Sequence, residues 1–401
     1  MRVKLGSAII ALLFIAGMSG SAQGSGFAVV EQSVSGLGHS FSGAVSGEDP
    51  SAMFFNPASI SLLEGQQATA GLHAIIPSTK FKATTTGSTP VPVLGSVSFG
   101  TNNGGDGRVT ALISNLYYTH KLNDKLAIGL GINAPFGLAT DYDRTWVGRY
   151  HAKESDIATI NINPVVAYRA TDQLTLAAGV SAEYADVTLS SMIDGGLVNL
   201  SAGDPLGLAT PSNPLGSLLA VSNTNYDIFA ENTADDWAFG FNLGLMYEFS
   251  PDTRIGLAYR SEIAHKLEGA VALDIPTSMV GLRTLFANQN IHGEITLPAT
   301  ASASFYSKVT DKLAFMGDVT WTCWSSFDEL TIDFEGTGIA TKTSSTTTEN
   351  WDNTWRYSVG ASYQTTESLK LRGGMAFDET PISDEYRIPH GYLVKTVSGS
   401  L

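Results

Sequence analysis

From about residue 66 onward, large apolar side chains occupy every second position and small or polar ones the positions between, which is the period of a β-strand. The clearest stretch places Trp237, Phe239, Phe241, Leu243, Leu245, Tyr247 and Phe249 on one face. Ala238, Gly240, Asn242, Gly244, Met246 and Glu248 fall on the other. Leu126, Ile128, Leu130 and Ile132 alternate in the same way with Ala127, Gly129, Gly131 and Asn133, and Leu174, Leu176, Ala178 and Val180 with Thr175, Ala177, Gly179 and Ser181. Ile255-Leu257-Tyr259, Leu313-Phe315-Gly317-Val319-Trp321 and Trp355-Tyr357-Val359-Ala361-Tyr363 repeat the pattern. A soluble sheet rarely leaves a long apolar row uncovered, whereas a membrane-crossing strand of about 9–11 residues needs one facing lipid. The pattern therefore predicts an all-β fold, a transmembrane antiparallel β-barrel.

Strands are expected to begin near residues 66, 109, 125, 155, 173, 236, 253, 295, 312, 353 and 368, about eleven in all. Short turns such as Asn123-Asp124, Thr171-Asp172, Pro251-Asp252 and Thr310-Asp311 alternate with long polar stretches at 83–108, 190–235, 268–293 and 335–350. Short turns at one end and long loops at the other are the layout of an outer-membrane barrel. Residues 23–65 break the pattern, being rich in Gly and Ser with Pro50 and Pro57 and no lipid face. A wide barrel left open would leak, so this segment is expected to fill the lumen as a hatch, with barrel strands over 66–389 and a tail over 390–401.

Arg2 and Lys4 precede an apolar stretch from Leu5 to Met18 and the small residues Gly20-Ser21-Ala22, the layout of a signal peptide over residues 1–22. The stretch is shorter than the roughly 20 residues of a membrane-spanning helix, and no later stretch is apolar for long enough. Charged residues make up only 15% of the chain while glycine occurs 41 times, a balance that suits strands with one lipid face and one crowded face. The net charge of −15, without a cluster of basic residues, argues against nucleic acid as a partner. A single cysteine, Cys323, leaves no intramolecular disulfide and no cysteine-based zinc site.

Enzymatic readings find little support. The seven histidines, at 39, 73, 120, 151, 265, 292 and 390, have no HExxH spacing, and no GxSxG elbow is present. No catalytic residue, metal or cofactor is expected. An outer-membrane acyl hydrolase, a general porin and an adhesin remain as distant alternatives; liposome swelling with sugars separates a porin from a plugged channel.

Within the plug the chain reads GFAVVEQSVSGLGHSFSGAVSGEDPSAMFFNPA from Gly26 to Ala58. With Ser35-Gly36-Leu37-Gly38, Phe41-Ser42-Gly43 and Asn56-Pro57-Ala58 it closely resembles the FadL family of outer-membrane hydrophobic-compound transporters. GLGINAPFGLATDYDRTWVGRY, NINPVVAYRATDQLTLAAGV, DDWAFGFNLGLMYEF, RIGLAYRSEI and RGGMAFDETPISDEYRIP extend the resemblance, in order, to about Pro389. The resemblance implies a barrel of fourteen strands with an N-terminal hatch, in the bacterial outer membrane. It implies passive uptake of long-chain fatty acids, or alternatively of aromatic or alkane hydrocarbons, with release sideways into the membrane. Each CH₂ removed from water gains about 0.8 kcal/mol, so such a ligand needs a path past the polar outer leaflet and no pump. Other expected partners are membrane lipid, lipopolysaccharide and the barrel-assembly machinery, the protein itself acting as a monomer.

On the same resemblance Phe27, Gly36, Gly38, Asn56, Pro57 and Ala58 are hatch or gate elements, although Asn-Pro by itself reads as a common turn. Gly129 and Gly131 lie in what resembles the family's third strand and are expected to permit the lateral opening, against the plainer reading of small residues making room for the plug. A bound carboxylate would need a basic partner in an apolar cavity. Arg144, Arg149, Arg260 and Lys266 are the candidates, while EYADVTLSSM and WSSFDELTIDF, where one would be expected, hold none; this shifts weight toward an uncharged ligand. After Pro389 the chain gives HGYLVKTVSGSL, unlike the family, and eleven strands fall three short of fourteen. The sequence alone therefore predicts a truncated or frame-shifted chain whose sheet does not close.

Overall fold

The computed structural model describes residues 26–383 apart from 83–87, 92–94, 280–282, 284–285 and 337–342. The expected signal peptide and the tail over 390–401 lie outside the described residues.

Two one-turn helices, α1 (Val34–Leu37) and α2 (Ala52–Phe55), and a 3₁₀ segment (Pro57–Leu62) precede the first strand. The strands are β1 (Gln66–Ile75), β2 (Ser88–Val91), β3 (Gly95–Ser98), β4 (Ala111–Asn123), β5 (Leu126–Asn133), β6 (Gly137–Asp141), β7 (Glu154–Arg169) and β8 (Leu174–Asp194). Helices α3 (Gly195–Ser201) and α4 (Gly216–Ala220) follow. Then come β9 (Asp227–Ser250), β10 (Thr253–Arg260), β11 (Ile263–Asp274), β12 (Gln289–Leu297), β13 (Thr300–Lys308), β14 (Leu313–Thr322), β15 (Glu329–Phe334), β16 (Ser344–Thr348), β17 (Thr354–Thr366) and β18 (Leu369–Asp378). No described helix is long and apolar enough to cross a membrane.

The wall is one antiparallel ladder in the order β1-β4-β5-β7-β8-β9-β10-β13-β14-β17-β18. Its eleven strands are those the alternation predicts, with two differences. The strand expected from near 236 begins at Asp227, and the one expected from near 295 is two segments, β12 and β13, broken at Pro298-Ala299. Among the described residues β1 and β18 share no ladder.

The stretches read as long polar loops carry structure of their own. A β2–β3 hairpin lies within 83–108, α3, α4 and the start of β9 within 190–235, and parts of β11 and β12 within 268–293. β11 pairs with the upper part of β9 and with β12, and β12 continues to β15 and β16. These strands stand above the lipid-facing belt and need no apolar outer face, so the signature that reveals the lower wall is missing from them.

The outer face is the apolar row. Trp237, Phe239, Phe241 and Leu243 are 47–73% exposed, as are Leu257, Val359 and Phe377 at similar values. The alternate residues are buried against the hatch and one another. Residues 26–65 fill the lumen, with Val45, Met53, Ala58 and Ile60 packed on Tyr117, Ala127, Val165, Ala167, Ala177 and Met246 of the wall.

Candidate functional site

Four properties of the interior bear on function: how the hatch is seated, where the wall is broken, what space remains, and how polarity varies with height.

The hatch is short and nearly devoid of regular structure, so its backbone groups must find partners in the wall. Asp318 of β14 accepts from the N–H groups of Gly43 at 2.6 Å and Ala44 at 3.3 Å. The Arg254 guanidinium donates to the carbonyls of Val45 and Ser46, Arg356 to Ser40 O at 2.8 Å, and Arg260 to Phe54 O at 3.1 Å. Glu48 is paired with Lys370 at 2.9 Å and Arg372 at 3.0 Å. Burial alone would raise its pKa, but the two cations outweigh that and hold its carboxyl below the ordinary range. Its neighbour His39 is lowered, chiefly by burial, with Arg372 adding to the effect and Glu48 opposing it.

Asn56, wholly buried, ties the 3₁₀ segment down. Its side-chain oxygen accepts from Ala58 N–H at 2.9 Å as an N-cap, and its amide donates to the carbonyls of Leu245 and Leu257, each at 3.2 Å, on the paired strands β9 and β10. Pro57 follows at the first position of the segment, where its missing N–H costs nothing. The seat is made by glycine. A Cβ on Gly244 would come within 2.5 Å of Asn56 Oδ1, and one on Gly256 within 2.4 Å of Val45. Gly36 lies in α1 close to Ser33 and Phe41, and Gly38 lies against Arg372.

The wall is interrupted after Asn133. β5 pairs with both β4 and β7, but β6, which continues it, pairs only with β7, and residues 134–136 depart from the ladder. The first described residues cover this break. Val29 N donates to Pro135 O at 2.8 Å, Gly137 N to Phe27 O at 2.9 Å, and Gln32 Nε2 to Ala134 O at 2.6 Å, with an antiparallel bridge between Ala28 and Phe136. Gly129 and Gly131, expected to permit an opening, sit three or more residues below it in unbroken ladder. A Cβ on Gly129 would lie 3.1 Å from Met53, and one on Gly131 3.2 Å from the Tyr117 ring. They make room for the plug and the lumenal side chains, and the interruption belongs to Ala134-Pro135-Phe136, where proline cannot donate to a ladder.

Above Phe27 lies a cavity of about 690 Å³, lined by Leu138, Ile157, Leu189, Ile193, Val198, Phe327, Leu330, Ile332, Phe334 and Trp351 among others. Phe27 forms its floor, 98% buried in a box of rings: Trp324 at 4.9 Å, Phe327 and Trp351 at 5.5 Å, and Phe136 at 5.9 Å between centroids. Gly26 has φ +56°, and a Cβ there would strike Trp351 at 2.6 Å, so glycine is needed for the chain to enter the box.

None of the cavity's described lining residues is Lys or Arg; its acidic side chains are Asp194 and Glu349, and His151 is its one histidine. Asp194 is occupied as the cap of α3, accepting from Leu197 N and Ser222 N at 2.9 Å. Glu349 accepts from the Trp351 indole at 3.0 Å, and burial pushes its carboxyl up to about 7.

The four basic candidates are engaged elsewhere. Arg149 is fully buried, donating to Asp227 at 2.7 Å, to Tyr150 and to the carbonyls of Phe99 and Ser222. Arg144 stacks 4.0 Å over Phe229 and pairs with Asp274 at 3.2 Å on the surface. Arg260 holds the hatch, and Lys266 lies exposed on the outer face of β11. Each was chosen for its charge, and each is matched by a partner distant in sequence or placed on the wrong face.

Read downward along the lumenal positions of β8, Val187 and Ala185 belong to the apolar cluster around Phe27, then come Glu183 and Ser181, and Ala177 belongs to the lower apolar cluster. β7 repeats this order with Ile157, then Asn161 and Asn163, then Val165 and Ala167. Arg260, Asn242 and His265, which sits 3.6 Å from Glu183 and 3.3 Å from Asp236, complete a polar layer between two apolar ones. Among the described residues no cluster of His, Cys, Asp and Glu has the geometry of a metal site.

Trp324, Phe327, Trp351 and Glu349 escape a reading by period because they lie on connections between strands. Their only signal is aromatic density, WSSF and ENW, in otherwise polar loops.

Compared with known proteins, residues 15–391 match the family described as outer membrane protein transport protein (OMPP1/FadL/TodX). The chain is similar to a putative outer membrane protein of Neisseria meningitidis serogroup B, with 32% identity over 392 residues, covering 94% of this chain and 82% of the other. It is also similar to the long-chain fatty acid transport protein of Escherichia coli K12, 28% identical over 393 residues and covering 93% of this chain and 82% of that protein. Among solved structures, a Pseudomonas aeruginosa FadL homologue superposes with a TM-score of 0.72 at 24% identity, covering 92% of this chain and 84% of that one, which shows a shared fold.

Proposed function

The chain belongs to the OMPP1/FadL/TodX family of outer membrane transport proteins, and from that premise we propose that its cargo is an uncharged hydrophobic compound, held above Phe27 and released sideways at the break after Asn133. The protein is an outer-membrane β-barrel transporter of hydrophobic compounds; the proposal concerns which compound and which way out.

The observation that carries the choice of cargo is the chemistry of the cavity wall, mostly apolar, with two carboxylates, one histidine (His151) and no Lys or Arg among its described lining residues. A fatty-acid anion placed there would lose water without gaining the permanent counter-charge of a Lys or Arg, a cost of several kcal/mol, and it would face Glu349. An uncharged apolar ligand gains from the same wall about 25 cal/mol for each Å² removed from water. The path follows from the layers. Directly below Phe27 lies the polar layer of Glu183, His265 and Arg260, unfavourable for such a ligand, whereas the β5–β6 interruption at the height of Phe136 is covered only by the segment that includes Phe27 and Ala28. Phe27, with the strand-like segment that bridges Ala134–Gly137, is the gate on this path. Asn56, Pro57 and Ala58 fix the hatch beneath it.

A long-chain fatty acid is the second reading, favoured by the name of the E. coli relative. Tryptophan fluorescence of the purified protein decides between them, since Trp351 lines the cavity. Ethylbenzene is expected to quench saturably at pH 8 while decanoate does not. Tighter binding of decanoate overturns the uncharged cargo. Swelling of proteoliposomes in stachyose would overturn the plugged channel itself.

A further inference from the structure

We propose that Glu349 selects, among apolar compounds, those whose polar head donates a hydrogen bond, such as an alkylphenol or a long-chain alcohol. The inference rests on the reading of the cavity as the cargo site.

Three acceptors on the cavity wall have spare capacity. The Trp351 indole takes one oxygen of the Glu349 carboxylate, and the other has no hydrogen-bond partner among the described residues. The side-chain oxygens of Ser190, which is 98% buried, and Asn232 are also unpartnered, and both residues line the cavity. Asn232 spends its amide on Leu189 O at 3.1 Å, which leaves only its carbonyl. A buried acceptor left unpaired is unfavourable, so a ligand that brings a hydroxyl relieves it, and a plain hydrocarbon does not. A carboxylate brings only acceptors and a like charge. Glu349 is held in place from both sides: its N–H donates to Asp328 O at 2.7 Å, and its carboxylate is fixed by the neighbouring indole. The side chain thus faces the ligand in a set orientation, as a specificity-determining group needs to.

Three compounds sharing one hexylphenyl body separate the possibilities: 4-hexylphenol, hexylbenzene and 4-hexylbenzoate, titrated at pH 8, where Glu349 is mostly ionised, into the full-length protein in detergent and followed by tryptophan fluorescence and calorimetry. Hexylphenol is expected to bind about tenfold tighter than hexylbenzene, the worth of one hydrogen bond to a charged acceptor, and hexylbenzoate weakest. In Glu349→Leu the phenol advantage is expected to vanish while hexylbenzene binds as before; in Glu349→Gln, which keeps an acceptor without the charge, part of it should remain and the benzoate should gain. Heat-modifiable migration on a gel confirms that each variant is folded. Equal affinity for phenol and hydrocarbon, or a phenol advantage that survives Glu349→Leu, overturns the role of Glu349 and leaves the cargo site standing. Failure of hexylbenzene itself to bind the unaltered protein overturns the cargo site.

Discussion

Replacing Asn56 with alanine tests whether the hatch is a separately seated part or merely core. The side chain is wholly buried and makes three hydrogen bonds: one caps the 3₁₀ segment through Ala58 N–H, and two reach the carbonyls of Leu245 and Leu257. Loss of a cap costs about 1 kcal/mol, and each of the other bonds about 1 kcal/mol net. Together these weaken the seating of the segment by roughly 3 kcal/mol, or about a hundredfold in the population with the segment detached. None of the three belongs to the wall ladder, so the barrel should not feel the change. Hydrogen exchange followed by mass spectrometry of the detergent-solubilised protein reads this directly. Peptides covering 43–62 should exchange about a hundredfold faster, and those from β8 and β9 at unchanged rates. Asn56→Asp, which keeps the cap and loses both donated bonds, should fall between. If 43–62 keeps its protection, the three bonds do not hold the hatch. If β8 and β9 lose theirs in parallel, the hatch is no independent unit.

Other consequences follow from the same geometry. Phe27→Ala removes a ring packed on Trp324, Phe327 and Trp351; it should weaken hexylbenzene binding and loosen the segment over the wall break by roughly 3–5 kcal/mol, seen as faster exchange at 134–137 with the folded gel migration retained. Gly244→Val places a branched side chain where even a Cβ lies 2.5 Å from Asn56, so the hatch should fail to seat and proteoliposomes carrying the variant should swell in small sugars. Acid should free the hatch as well. Glu48 is held below its ordinary range, so its contribution is present above that range and fades as the pH falls through the depressed value; His39 is also lowered, so its neutral form favours the seated hatch, and stability falls as the pH drops below the ordinary histidine range. Exchange at residues 36–50 should accelerate on acidification, and Glu48→Gln should abolish the carboxylate part of that response.

The lower wall was legible in the sequence because lipid imposes a rule on every second residue. All eleven wall strands follow from rows such as Trp237 to Phe249, and the turns between them from pairs such as Pro251-Asp252. β11, β15 and β16 were not legible, since a strand above the membrane belt has no lipid side to advertise it; residues 344–348 are SSTTT and still form a strand. The hatch motifs located Phe27 and Asn56 but not what they touch. The rings around Phe27 come from residues 136, 324, 327 and 351, a convergence across the fold that no local spacing encodes. The partners of the basic candidates were hidden for a related reason. A sequence shows a charge and not its partner, and the acid that neutralises Arg149 lies 78 residues away at Asp227. The glycines of β5 lie in unbroken ladder just before the interruption, and a small side chain that admits a plug and one that admits an opening look alike until the ladder is traced.

The break in the wall raises a physical difficulty that the hatch resolves. Backbone groups released from a ladder at the height of the membrane have no water to turn to, and each one left unpaired costs several kcal/mol. At 134–137 the Thr159 hydroxyl of β7 takes up the N–H and carbonyl of Phe136, and Phe27, Val29 and Gln32 take up the groups of Gly137, Pro135 and Ala134, so the segment that floors the cavity also helps complete the wall. If Phe27 gates the cavity as proposed, moving it aside for a ligand would also break the bridge to Ala134–Gly137, and the two openings would be one event. On the proposed sideways path, a ligand large enough to displace the ring from its aromatic box would meet the exit just as it forms, while the polar layer below, with Glu183, His265 and Arg260, would give it no reason to descend. With Phe27 packed in its box, the break at 134–137 stays covered.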